Sequence, residues 1–374
     1  MKVGVPTEIK TDEYRVALTP VGVRELVDRG HEVVIQDGAG NGSSLPNAAY
    51  EEQGASIAPD ASAIFAGCEM ILGVKEPQPG EVAMLREGQL LFTYLHLAPV
   101  PELAHSLAES GATCIAYETV EDELGRLPLL APMSEIAGKL AAQSGAVMLE
   151  KPQGGRGMLL GGVPGVAAAN VMVVGGGVVG MNAAMIAIGM QADVFCFDRS
   201  IERLRELEVI FDGRASTVYS STLAIEQMLP QVDLVIGAVL VHGARAPHVI
   251  SREQLSLMKP GSVLVDVAID QGGCFETSRP TTHSEPTFEV DGIVHYCVAN
   301  MPGAVPITAT YALTNATLPY VLALAEHGPR AACERDPGLL PGVNVAAGRI
   351  TSRPVAEAVG ADFEPPMNLL QEGT

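Results

Sequence analysis

The glycine-rich stretch Val173-Val174-Gly175-Gly176-Gly177-Val178-Val179-Gly180 constrains the fold of this chain more than any other feature. It contains G-x-G-x-x-G at Gly175, Gly177 and Gly180. An apolar, strand-like run at 170–174 leads in, and a helical run at 178–190 leads out. A second strand-like run, 193–197, ends in Asp198, eighteen residues after Gly180. Strand, glycine turn, helix, strand and acid in that order form a dinucleotide fingerprint. Gly175 permits the tight turn. Gly177 lets a pyrophosphate approach the backbone, where a helix beginning at Val178 and Val179 offers N–H groups and a positive dipole end. Gly180 lets the helix pack on the strand. Asp198 can accept hydrogen bonds from the ribose hydroxyls and repel a 2′-phosphate, so the expected cofactor is NAD rather than NADP. Arg199, directly after it, is the residue that argues the other way.

At 374 residues the chain has room for two domains of ordinary size. Few aromatics and no tryptophan suit close-packed α/β layers of Val, Ile, Leu and Ala. A formal net charge of −21 argues against nucleic acid and anionic membrane as partners. No apolar run reaches the 18 or so residues of a spanning helix, and the N-terminus lacks a signal-peptide pattern. The six cysteines are scattered without C-x-x-C, which predicts reduced core residues in a cytoplasmic protein and no metal site.

Strand candidates at 2–5, 32–36, 70–74, 90–95 and 113–116 alternate with helix candidates at 20–29, 47–53, 61–66 and 101–109. The alternation predicts a parallel, doubly wound sheet. A long helical stretch follows at 134–150, with Ser134 as its N-cap. A second series has strands near 170–174, 193–197, 214–218, 232–236, 262–267 and 293–298. Another long helix is expected at 303–326. The Pro- and Gly-rich tail, with one short helix at 354–359, is too small to be a domain and is expected to return to the first. The fold class is therefore α/β, with two doubly wound domains joined by two long helices. A Rossmann domain over 131–304 is inserted in a discontinuous Rossmann-like domain made of 1–130 and 305–374.

Lys75 and His96 end apolar strands, where open α/β sheets place their ligands. Arg15 lies in the loop after the first strand and can overhang the same edge. Taken singly, each reads more readily as a solvated charge (Arg15, Lys75) or a core histidine (His96) than as a site residue. Together on one sheet edge they suit a 2-amino acid. Arg15, as a fork for two oxygens, and Lys75 can hold a carboxylate, Lys75 can polarise a carbonyl, and His96 can move a proton near neutrality. Asp270, carried into a glycine turn after a strand, can stabilise a cationic imine or simply cap the turn. Val298-Ala299-Asn300-Met301 leaves another strand and either lines a nicotinamide pocket or forms a helix-entry turn. Spacing alone does not separate an amino acid from a hydroxy acid.

The stretches Met1-Lys2-Val3-Gly4-Val5-Pro6-Thr7-Glu8-Ile9-Lys10, Gly73-Val74-Lys75-Glu76-Pro77, Tyr94-Leu95-His96 and Val267-Ala268-Ile269-Asp270-Gln271-Gly272-Gly273 resemble the alanine dehydrogenase family. So do Arg279-Pro280-Thr281-Thr282-His283-Ser284 and Tyr311-Ala312-Leu313-Thr314-Asn315-Ala316-Thr317, and the resemblance runs from residue 1 to about 335. It implies that Arg15 and Lys75 bind substrate and that His96 and Asp270 are catalytic, in the reversible NAD-dependent deamination of L-alanine to pyruvate and ammonium. It implies NAD contacts at Ser134, Val178, Val179, Asp198, Arg203, Ser220, Val239 and Leu240. Further contacts are implied at Val267, Ala268, Ile269, Asp270, Arg279, Val298, Ala299, Asn300 and Met301. It also implies a homohexamer. Gln191 stands where the family usually has glycine, and Met185 where a basic residue is common.

Two other readings share this architecture. One is the soluble NAD-binding component of a proton-translocating transhydrogenase, which passes hydride to a protein partner and needs no amino-acid site. The other is a dehydrogenase for a different 2-amino acid. The full set Arg15, Lys75, His96 and Asp270 favours alanine dehydrogenase over the first.

Overall fold

The computed structural model describes residues 1–239 and 247–370. The chain divides into two compact units, Met1–Met133 with the chain from Val305 on, and Ser134–Ala304.

The strands of the first unit are β1 (Lys2–Val5), β2 (Glu32–Gln36), β3 (Ser56–Ala58), β4 (Met70–Leu72), β5 (Leu90–Thr93) and β6 (Thr113–Ala116). The second unit holds β7 (Asn170–Val174), β8 (Asp193–Asp198), β9 (Ser216–Tyr219), β10 (Leu234–Gly237), β11 (Val263–Asp266), β12 (Thr287–Val290) and β13 (Ile293–Tyr296). The chain then returns to the first unit with β14 (Val343–Ala346) and β15 (Arg349–Ile350).

The first sheet runs β15-β14-β6-β5-β4-β1-β2-β3. Pairs from β3 through β6 are parallel, and β14 adds antiparallel to β6. The second sheet runs β12-β13-β11-β10-β7-β8-β9, parallel except for the edge hairpin β12–β13. Both are therefore doubly wound, and in both the strand order reverses beside the first strand. The reversal lies between β1 and β4 in one sheet and between β7 and β10 in the other. At such a switch point the loops diverge to opposite faces and leave a crevice at the carboxyl ends of the strands.

Local sequence explains where the elements begin. The helix Pro20–Asp28 has Pro20 at its first position, where the missing N–H is no loss, and ends before Gly30 in a left-handed turn. Thr19 occupies the N-cap position in extended backbone, but its side chain makes no capping bond. Asp60, Ser200 and Ser221 do cap, accepting from the N–H groups of Ala63, Arg203 and Ala224. The apolar strand faces close two cores. Ile64, Phe65, Ile71, Leu91, Leu107, Cys114 and Val345 pack in the first unit. Met172, Phe197, Val235, Leu264 and Phe275 pack in the second. All six cysteines are free and buried.

Four expectations need correction. The long helix runs Ala131–Met148, so Ser134 lies in its first turns and is not the N-cap. Pro132 sits in the first turn, where proline costs no hydrogen bond, and so allows the earlier start. The second sheet has seven strands rather than six, β12 being the addition. The tail contributes two strands as well as the helix Arg353–Val359. The second long helix runs Pro306–Arg335 and is interrupted at Gly328, whose φ of 71° and ψ of 168° are not helical.

Candidate active site

The carboxyl edge of the first sheet gathers charged side chains at its switch point. Arg15 follows β1, and Lys75 follows the adjacent β4. His96 follows β5, the next strand along. Arg15 is 2% exposed. Glu13, also buried, pairs with it on one edge. Glu13 Oε1 accepts from Arg15 Nε at 2.6 Å and from its backbone N–H at 3.1 Å, while Oε2 takes Nη2. Nη1 lies 3.0 Å from Met133 Sδ. Burial works against the guanidinium charge, but the bonds and charge of Glu13 outweigh it and the Arg15 pKa is raised. Arg15 is thus a fixed cation, its orientation set by Glu13. The fork expected to grip two substrate oxygens has its Nε–Nη2 edge engaged by Glu13.

Lys75 is half-buried in the bend after β4. Its carbonyl accepts from Thr93 Oγ1 at 2.8 Å, which ties the bend to β5. Glu8 holds the same bend from the other side, accepting from Val74 N at 2.6 Å and from Lys75 N at 3.2 Å. Lys10 and Glu76 form an ion pair beside it. Burial pushes the Glu8 carboxyl up to about 8, against those two bonds, with Glu13 and Glu81 adding to the rise.

His96 sits at φ 48°, in the left-handed region that few non-glycine residues occupy. Glu118 stabilises this turn by accepting from Leu95 N at 3.2 Å and His96 N at 2.6 Å. The ring stacks on Tyr94, 5.7 Å between centroids and nearly coplanar, with Nδ1 3.7 Å from Glu118 Oε1. Tyr94 is itself fixed, donating to Leu129 O at 2.6 Å. The imidazole is exposed and orientated, as a proton-transfer group needs to be.

The second unit builds a cradle at its own switch point. A Cβ on Gly180 would stand 1.8 Å from Gly175 O, so only glycine brings this helix so close to its turn. A Cβ on Gly177 would meet nothing within 4 Å. That open space lies at the start of the helix Val178–Gly189, where first-turn N–H groups lack intrahelical partners. The cradle fits a pyrophosphate. Asp198 accepts from Gly176 N at 2.7 Å and Ser200 N at 2.8 Å, which fixes its carboxylate at the end of β8. Ser220 is half-buried just past β9, its N–H on Asp198 O at 2.8 Å. Arg203 Nε donates to Gly176 O at 2.6 Å, behind the turn. Val239 follows β10 at the switch point, and Leu240 lies outside the described residues.

The loop after β11 is organised by Asp266, fully buried, which the sequence reading passed over. It accepts from the N–H groups of Ala268 and Cys274 at 3.0 and 2.9 Å and from Ser278 Oγ at 2.5 Å. This holds Val267, Ala268 and Ile269 in place and presents Asp270 exposed on a short 3-10 turn. Arg279 lies over the Phe288 ring, 4.2 Å from its centroid, and Phe288 in turn stacks on buried His295. Val298 is buried, and Ala299 N donates to Thr281 O at 3.1 Å. Asn300 has φ 59° and its carbonyl meets His283 Nε2 at 3.2 Å, just before Met301 begins a 3-10 turn.

Glu8, Glu13, Glu118, Asp266 and Phe288 were all missed by the sequence reading as supports for the candidate side chains. Glu13 carried the one local signal, two residues before Arg15 in a loop after a strand. Asp266 too has a local partner, Ala268 N two residues on, whereas Glu8, Glu118 and Phe288 reach theirs only through the fold.

Residues 4–137 match the model of the alanine dehydrogenase/PNT N-terminal domain, and residues 141–353 that of the C-terminal domain. Alanine dehydrogenase from Halomonas elongata is 59% identical over 97% of this chain and 98% of its own. That from Bacillus subtilis is 51% identical over 100% of this chain and 98% of its own. A solved L-alanine dehydrogenase superposes with a TM-score of 0.93 at 51% identity, covering 96% of this chain and 99% of the other. A transhydrogenase from Sinorhizobium meliloti shares the fold, with a TM-score of 0.80 at 24% identity over 94% of this chain and 99% of that one. The two-domain family models and the full-length identities place this chain in the alanine dehydrogenase/PNT family.

Proposed function

We propose that this protein is an NAD-dependent alanine dehydrogenase, converting L-alanine, NAD and water reversibly to pyruvate, ammonium, NADH and a proton. The observation that carries the reading is that Arg15, Lys75 and His96 follow the neighbouring strands β1, β4 and β5, on a chain whose full-length relatives are alanine dehydrogenases. The S. meliloti transhydrogenase supports only the fold.

When bound, NAD supplies the ring that accepts hydride. The chain does the rest. Arg15, held rigid by Glu13, and Lys75 fix the substrate carboxylate, and Lys75 also polarises the oxygen at the reacting carbon. His96 takes the proton from the attacking water and passes it towards the departing amine. Asp270 stabilises the cationic imine of the substrate. Gly175, Gly177, Val178, Val179 and Gly180 cradle the pyrophosphate. Asp198 accepts from the ribose hydroxyls and disfavours a 2′-phosphate. Ser134, Arg203, Ser220, Val239, Leu240, Arg279 and the segments 267–270 and 298–301 complete the cofactor site.

The protein works as a cytoplasmic homohexamer on small molecules, with neither nucleic acid nor membrane as partner. Its acidity argues against nucleic acid and anionic membrane as partners, and the hexamer and compartment rest on the family resemblance; among the described residues no helix is long and apolar enough to cross a membrane. Light scattering measures the assembly. A spectrophotometric assay of NADH formation against a panel of 2-amino acids tests the activity, with L-alanine expected as the best substrate. A preference for a larger amino acid would move the assignment to another substrate.

A further inference from the structure

Glu8 spans the switch point of the first sheet. It lies three residues past β1, yet its carboxyl accepts from the backbone of Val74 and Lys75 beyond β4. It therefore fastens the strand end that carries Lys75 to the strand that leads to Arg15. The groups around it are mostly anionic. Glu13 and Glu81 oppose its charge, while Arg15 favours it. Tyr117 also senses Glu8, and its buried hydroxyl has no hydrogen-bond partner. Lys10 is already paired with Glu76.

Glu13 is committed to Arg15 as an anion. With Lys75 protonated, one incoming carboxylate brings the group Arg15, Lys75, Glu13 and substrate to neutrality. An ionised Glu8 adds a further negative charge in a poorly solvated place, at the backbone of Lys75 itself. Resting on the reading that Arg15 and Lys75 receive the substrate carboxylate, we infer that Glu8 gates this site by charge: a 2-oxo or 2-amino acid binds while Glu8 is protonated, and loss of that proton weakens its binding. Glu8 touches no reacting atom, so it is a positioning residue. Its carboxyl, pushed up to about 8 by burial, changes charge between neutral and mildly alkaline pH.

Pyruvate is the probe, because it has no amine to titrate and its carboxylate stays ionised throughout. Its Kd is measured by calorimetry on the full-length protein saturated with NADH, without ammonium, from pH 6.5 to 9.5. Wild type is expected to bind with constant affinity at the acidic end and to weaken by up to about tenfold per pH unit above about pH 8. Glu8→Gln is expected to abolish that limb. The same limb in Glu8→Gln and wild type overturns the inference. Repeating the titration at pH 8 in buffers of different ionisation enthalpy should show uptake of about half a proton per pyruvate. That uptake should persist in His96→Ala and vanish in Glu8→Gln; its loss in His96→Ala alone assigns the proton to His96 and overturns the inference. Should Glu8→Gln not fold, Glu13→Gln reads the same gate. That change takes one negative charge out of the group, so an ionised Glu8 then completes neutrality with the bound carboxylate; the alkaline limb should flatten, and a limb as steep as in wild type overturns the inference. Failure of wild type to bind pyruvate at any pH contradicts instead the reading that this site takes a 2-oxo acid.

Discussion

Arg15 shows how a buried cation can be ready for a ligand without being costly. Its charge is matched by Glu13 at 2.6 Å through Nε, and the same Glu13 oxygen holds its backbone. Arg15→Ala would strip buried Glu13 of its guanidinium partner, at a cost of about 3–5 kcal/mol, and would confuse folding with binding. Arg15→Lys keeps the charge and is the cleaner change. It should raise KM for alanine and pyruvate with little effect on kcat, since the carboxylate contact exists in ground and transition states alike. Lys75→Ala should lower kcat as well, because Lys75 is proposed also to polarise the oxygen at the reacting carbon. Steady-state kinetics on both variants check the split, and normal constants in both would place the pocket elsewhere. His96→Ala should lower kcat by about 10²–10⁴-fold while NADH affinity, read by fluorescence, stays near wild type. Wild-type turnover would reduce His96 to a turn residue held by Glu118.

At the scale of elements, the fingerprint separates two roles that glycine plays in one turn. Gly180 is needed for packing, Gly177 for access. Gly180→Ala should lower Tm and weaken NADH binding together. Gly177→Ala should leave Tm unchanged and weaken NADH binding alone. A Tm loss in Gly177→Ala equal to that of Gly180→Ala would show that the space beside Gly177 is not an anion site. Gln191, two residues past the helix Val178–Gly189, has φ 67°, a conformation that glycine adopts without penalty. Gln191→Gly should therefore stabilise, by about 0.5 kcal/mol after the entropy of the freer unfolded chain is counted, and thermal unfolding checks it. An unchanged or lower Tm contradicts it. The elements that sequence made legible are those with long apolar runs between clear stops, such as β1, β2, β6 and β7. It did not reveal β3, whose three residues are too short for a period. Nor did it reveal β12, a half-exposed edge strand whose pairing comes from β13, or β14, which is a strand because β6 offers it an edge. Lys75, His96 and Arg15 were singled out as candidates because strand ends in open α/β sheets mark ligand sites, and they do follow β4, β5 and β1. Glu8 and Glu118 were not, since they act across 67 and 22 residues of chain on backbone N–H groups.

For the whole molecule, two sheets of one strand order share the work. Each reverses its order beside its first strand, so the proposed dinucleotide cradle and the proposed carboxylate site would arise from one architectural rule. Fold alone does not separate a dehydrogenase from a hydride carrier, since the S. meliloti transhydrogenase has the same architecture. The roles proposed for Arg15, Lys75 and His96 on the first sheet would separate them. The most direct measurement uses L-alanine carrying deuterium at Cα, with NAD and the purified full-length protein, followed by mass spectrometry of the products. The account predicts one deuterium in NADH for each pyruvate and ammonium formed. Binding of NADH without any transfer of deuterium from alanine would contradict it.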